Sequence, residues 1–310
     1  MAGLRIVSLL PSATEIVAAL GLGDSLVGRS HECDFPPSLG RVPVCTAANL
    51  DIGATSGEID RQVRDLLDNA LSIYRIDGDL LRALRPDVIL TQDRCEVCAV
   101  GLEQVEAATR DALGTAVRIV AFHPASLEDV FADATRIAAA VDALPAGERL
   151  VSNIRERLAD VATATSALAR PRTLCLEWID PPMASGNWMP ELVGCAGGES
   201  LLSEAGRPSP RISFDAIAAA DPEAIVILPC GFDVARTRRD LAPLVGVPGW
   251  NDLSAVAGGR VYLADGNRYF NRPGPHLADS AEMLAEMLHP GAVDYGFGGS
   301  AWEPLGGGGS

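Results

Sequence analysis

The sequence predicts an α/β protein of two Rossmann-like lobes bridged by one long helix, and three observations carry the prediction. Short runs rich in Val, Ile and Leu alternate with helix-patterned stretches, the mark of βα units around mostly parallel sheets. Between Ser126 and Leu168 that rhythm stops, and an Ala-, Arg- and Glu-rich stretch takes over with apolar residues at helical spacing. The chain has 310 residues, which is length enough for two buried cores.

In the first lobe, strands are expected at LRIVSLL (4–10), SLVGRS (25–30), DVILTQ (87–92) and VRIVAF (117–122). Helical patterns lie between them: SATEIVAAL, with Ser12 as N-cap and Glu15 closing a capping box, then IDRQVRDLLDNAL, DGDLLRALR and LEQVEAATRDAL. The bridge is SLEDVFADATRIAAAVDAL, opened by a Ser-x-x-Asp cap signature, and GERLVSNIRERLADVATATSAL, read as one helix broken or kinked near Pro145. The second lobe contains strands RTLCLEW (172–178), AIVILP (224–229) and RVYLAD (260–265). Its helices are MPELVGCAG, FDAIAAA, ARTRRDLAPL and a closing LADSAEMLAEML. Beyond His289 the Gly-rich PGAVDYGFGGSAWEPL reads as a loosely held tail, and the final GGGGS as an appended linker. The expected divisions are therefore 1–125, 126–170, 171–290 and 291–310.

Charge and composition exclude whole classes of function. A net charge of −16 leaves no basic face for nucleic acid or an anionic membrane, so a small molecule or a basic partner is expected. No run of about 18 uncharged apolar residues occurs, so no membrane span is expected. The first twenty residues are broken by Pro11, Ser12, Thr14 and Glu15 and read as strand and helix rather than an export signal. With seven cysteines, an odd number, this predicts a reducing, cytoplasmic setting.

In open parallel sheets, ligands bind beyond the carboxyl ends of the strands. After strand 25–30 comes HECDFPP, with His31, Glu32, Cys33, Asp34 and Phe35; after strand 87–92 comes DRCEVC, with Asp93, Cys95 and Cys98. Strands in one sheet bring these segments to one crevice. His31, Cys33, Cys95 and Cys98 would make a Cys3His set suited to zinc or iron, or a redox centre; alternatively the thiols pack as small buried hydrophobes. In the second lobe the strand-end loops gather Trp178, Trp188, Phe232, Tyr269 and Phe270, a candidate wall for a large planar or apolar ligand, with Asn267 and Arg272 as polar donors. No phosphate-binding loop, dinucleotide loop or nucleophile elbow is present, so binding is favoured over catalysis.

These segments bear a resemblance. IVSLLPSATEIVAALGLGDSLVGRSHECDFPP, LRALRPDVILTQ, PPMASGNWMPELVGCAGGESLL and DPEAIVILPCGFD together resemble the iron/vitamin B12 class of ABC-transporter substrate-binding proteins, especially the cobalamin-binding branch. The resemblance implies two α/β lobes joined by a helical backbone, a cleft between them holding cobalamin or a related corrinoid, no catalysis, and an ABC permease as partner. It also places Phe35 and Trp188 beside the ligand and assigns docking to Glu199 and to Asp77 or Asp79. Haem and siderophores are the other ligands that such a fold takes. A corrinoid's cobalt accepts an axial imidazole or thiolate, which makes His31 and the nearby cysteines candidate ligands.

Overall fold

The computed structural model describes residues 3–69, 72–92, 102–113 and 117–306. The chain divides into two compact units, Met1–Ala54, Glu58–Pro124 and Glu128–Ser152 in one, and Thr55–Gly57, Ala125–Leu127 and Asn153–Ser310 in the other.

The N-terminal unit is built in the order β1 (Ile6–Ser8), α1 (Pro11–Ala19), β2 (Leu26–Arg29), β3 (Thr46–Ala48), α2 (Ser56–Asp68), β4 (Tyr74–Ile76), α3 (Gly78–Leu84), β5 (Val88–Gln92), α4 (Leu102–Leu113), β6 (Arg118–Phe122) and α5 (Leu127–Ala140). Its main sheet has the order β2-β1-β5-β6 and is parallel throughout. Alternation along the strands sorts side chains onto two faces. Ile6, Val88 and Leu90 pack with Ala13, Ile16 and Val17 of α1 and Ile137 of α5; Val7 and Ile89 point the other way, onto Leu81 of α3 and Val105 of α4. The connection turns back on itself at β1, since β2 lies on one side of it and β5 on the other. This is the position where open sheets hold ligands.

Helix α1 starts two residues earlier than the capping box predicted. Pro11 occupies its first turn and Leu10 is the N-cap without a side-chain bond, so Ser12 lies inside the helix. Proline takes that place because its fixed φ suits the first turn, where the N–H it lacks has no partner in the helix.

The bridging helix expected to break or kink near Pro145 is two helices, divided a few residues earlier. After α5, residues 141–143 break the chain, with Asp142 at φ 58, and α6 (Leu144–Thr165) follows. Pro145 therefore sits harmlessly in the first turn of a new helix instead of kinking an old one. The change from one unit to the other falls inside α6, between Ser152 and Asn153. At Gly147 a Cβ would come 2.3 Å from the Cβ of Ala138, so α5 and α6 touch where both side chains are smallest.

The C-terminal unit continues with β7 (Arg172–Trp178), β8 (Met183–Ala184), α7 (Met189–Cys195), β9 (Glu199–Ser200), α8 (Phe214–Ala220), β10 (Ala224–Ile227), α9 (Val234–Asp240), α10 (Ala242–Val245), α11 (Ser254–Ala257), β11 (Val261–Ala264), α12 (Leu277–Leu288) and β12 (Trp302–Pro304). Sheet order is β12-β11-β10-β7-β8, with β9 also on β7; β7, β10 and β11 are parallel neighbours. Leu174, Leu176, Ile225, Ile227, Val261 and Leu263 form one buried face against Ile217 of α8, Leu244 of α10 and Trp250. On the other side of the sequence division, Arg157 of α6 donates to Asp279 and Glu282 of α12 at 2.6–3.0 Å.

The segment after His289 is not a loose tail. It ends in β12, which pairs antiparallel with β11, and Trp302 stands edge-on to Tyr262 at 5.5 Å. Specific side-chain contacts overcome the Gly-rich composition, and Pro304 is tolerated because β12 is an edge strand.

Gly147→Val is expected to overpack the α5–α6 contact and lower unfolding stability by about 2 kcal/mol. Urea denaturation checks this, and Ala138→Gly in the same chain should recover part of the loss.

Candidate functional site

Each unit offers candidate groups at the carboxyl ends of its parallel strands. In the N-terminal unit β2 runs into Ser30–Phe35, and Arg29 fastens this turn by donating to the carbonyls of Ser30 (3.2 Å) and Cys33 (2.8 Å). His31 is held by Thr46, the first residue of β3. Thr46 Oγ1 accepts from the His31 backbone N–H at 3.1 Å and donates to Ser30 Oγ at 3.2 Å, while His31 Nδ1 lies 2.7 Å from the same oxygen. With its one proton given to Ser30, Thr46 Oγ1 must accept from Nδ1, which assigns the Nδ1–H tautomer and leaves Nε2 a bare lone pair. Among the described residues no atom hydrogen-bonds that buried Nε2. Burial lowers the His31 pKa, so the ring is neutral at neutral pH, and its 3.9 Å approach to Glu32 is not an ion pair. Tyr74 of β4 packs its ring 5.4 Å from His31 and donates its hydroxyl to Glu32 at 3.2 Å.

Of the predicted Cys/His set only His31 and Cys33 are among the described residues, and their side chains take different partners. Cys33 is buried with Sγ 3.0 Å from Thr14 Oγ1, so its thiol faces the root of α1 and His31 faces β3. Among the described residues no group of three or more His, Cys, Asp or Glu could hold a metal ion. Asp93, Cys95 and Cys98 lie outside the described residues. Asp34 is exposed and Phe35 half-buried. Burial pushes the Cys45 and Cys175 thiols up to about 11 and about 12, so both are protonated packing groups rather than thiolates.

In the C-terminal unit the ends of β7, β10 and β11 lie side by side, and their loops interlock through backbone contacts. Gly266 is the tightest of these: a Cβ there would meet the carbonyl oxygens of Leu228 and Pro229 at 2.3 Å. Asn267 donates its N–H to Phe232 O at 3.1 Å, and Asn271 Nδ2 bonds Leu228 O and Gly266 O, both at 2.9 Å. Trp178 and Phe232 pair at 5.4 Å with rings tilted by 52°, and the Arg236 guanidinium lies 4.1 Å over Phe232. Buried Arg272 donates to Asn267 Oδ1 at 2.9 Å, and Arg268 stacks 5.0 Å over Tyr269. Asp265 caps the turn by accepting from Arg268 N at 2.9 Å. Burial raises its pKa, against the Arg268 N–H bond and the charges of Arg272 and Arg268.

Not all of the expected aromatic wall faces outward. Phe270 is fully buried, and Trp188 is buried with Nε1 donating to Phe270 O at 3.2 Å, so those two rings are packing groups that fix the loop from behind. Phe232 and Tyr269 are buried as well, which leaves Trp178 as the half-buried ring, with Nε1 bonded to Asp180 O. Among the docking candidates, Asp77 is spent as the N-cap of α3, accepting from Leu80 N, whereas Asp79 is exposed beside Arg82. Glu199 is exposed on β9. Sequence reasoning missed Thr46 and Tyr74 altogether, because three-residue strands such as TAA and YRI carry no alternation signal.

With this geometry in place, residues 6–267 match the family model described as periplasmic binding protein. The chain belongs to the periplasmic binding protein family. It is a substrate-binding protein of the ABC-transporter type, not an enzyme. It is similar to the vitamin B12-binding protein of Vibrio cholerae, 25% identical over 290 residues that cover 92% of this chain and 88% of that one. Among solved structures, it is similar to an ABC transporter substrate-binding protein from Listeria monocytogenes, with TM-score 0.69 and 17% identity, covering 93% of this chain and 99% of that one. A periplasmic heme binding protein from Pseudomonas aeruginosa gives TM-score 0.68 and 21% identity, covering 93% and 94% of the two chains. Among the described residues of this binding protein, no helix is long and apolar enough to cross a membrane.

The raised Asp265 pKa makes a signed prediction. The folded state holds the proton more tightly than the unfolded chain, so stability falls as pH rises from the ordinary aspartate value of about 3.9 through the raised one. Asp265→Asn keeps an acceptor for Arg268 N and removes the titration. Urea midpoints should show this variant gaining on the wild type between pH 4 and pH 7.

Proposed function

We propose that this binding protein takes up cobalamin or a related corrinoid. The observation that carries the reading is the similarity to the vitamin B12-binding protein over nine-tenths of this chain. The chemistry of the strand-end loops supports it. Half-buried Trp178, backed by buried Phe232, offers apolar ring surface, and half-buried Asn267, held by buried Arg272, offers a fixed polar group for the amide-bearing rim of a macrocycle. In the N-terminal unit Phe35, Glu32 and His31 are the corresponding contacts. A second reading, haem, draws on His31: a neutral imidazole with Nδ1–H bound and Nε2 bare is prepared to ligate iron as well as cobalt. Nε2 is shielded, with Glu32 Oε1 3.9 Å away, so a metal reaches it only after that side of the loop yields. Zinc or iron held by thiolates has less support, since Cys33 faces Thr14. Exposed Asp79 and Glu199 are the proposed contacts for a permease.

Titration calorimetry of the purified protein with cyanocobalamin, and separately with hemin, tests the reading. One corrinoid per chain with hemin bound more weakly is expected; binding of hemin alone would move the assignment to haem. For ligation, aquocobalamin bound to the wild type and to His31→Ala is compared by visible absorbance. A cobalt-band shift present in the wild type and lost in the variant is expected, and identical spectra would exclude His31 as an axial ligand.

A further inference from the structure

Helix α12 does not end the working part of the chain. We infer that residues 290–305 form a strap that positions the loop 265–272, with Phe297 as the residue through which the strap sets Tyr269. The inference rests on the proposed function in so far as that loop is taken to contact the solute.

Three separate attachments anchor the strap. Glu286, buried in the last turn of α12, accepts from the backbone N–H groups of Tyr295 and Phe297 and, at 2.7 Å, from Trp302 Nε1. A buried carboxylate is costly unless its lone pairs are filled, so the strap supplies donors that Glu286 requires and Glu286 orders the strap in return. The second attachment is β12 itself, whose register on β11 sets Ala264 opposite Trp302 and Leu263 opposite Glu303. In the third, Arg238 of α9 donates Nε and Nη2 to Glu303 Oε1 at 2.8 and 2.7 Å.

Fixed in this way, the strap reaches the loop at two points. Ala301 O accepts from Asp265 N at 2.9 Å, where β11 ends and the loop begins.

 This ties down the junction between β11 and the loop. Four residues along the loop, Tyr269 meets the Phe297 ring edge-on at 6.2 Å and 74°, and it meets the His276 ring at 5.4 Å and 80°. Tyr269 thus has two ring neighbours, while its carbonyl accepts from Ser280 Oγ at 2.8 Å. Without the strap, β11 would become an open edge, Asp265 N would lose its acceptor, and Tyr269 would keep only one of its two ring neighbours.

The test uses the full chain with Phe297→Ala, which leaves the Glu286 bonds to backbone and Trp302 in place. Ile217→Val, in the core of the same unit and away from the loop, serves as a control for general destabilisation. Hydrogen exchange of the solute-free protein is expected to show faster exchange in residues 266–271 of Phe297→Ala, with β10 and α12 unchanged and the control like the wild type. The cyanocobalamin Kd is then expected to rise about fivefold or more in Phe297→Ala and to stay unchanged in the control. Unchanged loop exchange would overturn the inference, and so would faster exchange with an unchanged Kd. If the wild type binds no corrinoid, the proposed ligand fails, and loop exchange alone then decides whether the strap positions the loop.

Discussion

The C-terminal unit depends on the side-by-side burial of three parallel strands, β7, β10 and β11. Their aliphatic residues are enclosed on the sheet face, each worth roughly 1.5–3 kcal/mol when fully buried, and this fixes where the strands end. Everything offered to a solute hangs from those ends. Because β10 and β11 stop level with one another, the backbone at Gly266 passes against Leu228 and Pro229 closely enough to exclude any side chain. The loops are thus joined to the sheet by backbone geometry, and Trp178, Phe232, Asn267 and Arg272 inherit their positions from it.

The N-terminal unit solves the same problem with a second, smaller sheet. The β3–β4 pair brings Thr46 and Tyr74 to the turn after β2, where one fixes the tautomer of His31 and the other bonds Glu32. A rigid, neutral imidazole results, oriented by a hydroxyl rather than by a carboxylate. Desolvation keeps it neutral, which is the state in which its remaining nitrogen can act as a donor to a metal or accept a hydrogen bond.

Much of the fold was legible from sequence for a simple reason. Strands such as RTLCLEW and helices such as LADSAEMLAEML carry their own pattern, because each buries a continuous run or one face, and both have the bounds expected of them. What was hidden depends on partners far along the chain. The strand WEP lies in a Gly-rich stretch and reads as tail; only its contacts with Tyr262, Glu286 and Arg238 make it a strand. The break lies at 141–143, before Pro145, because proline is at home in the first turn of the helix that follows. For the candidate site, residue types pointed to the right loops but not to the facing of each side chain. Burial decides that Trp178 alone of the five rings is left half-exposed while Trp188, Phe232, Tyr269 and Phe270 pack, and the bond partner decides that Cys33 meets Thr14 where His31 meets Thr46.

The central claim is that a corrinoid is held by the loops at the carboxyl ends of the parallel strands. Hydrogen exchange of the protein with and without saturating cyanocobalamin tests it most directly. Protection gained at residues 30–36, 229–233 and 265–272, with the rest of the chain little changed, is the predicted result. Saturation with no added protection in any of those three segments would contradict the account.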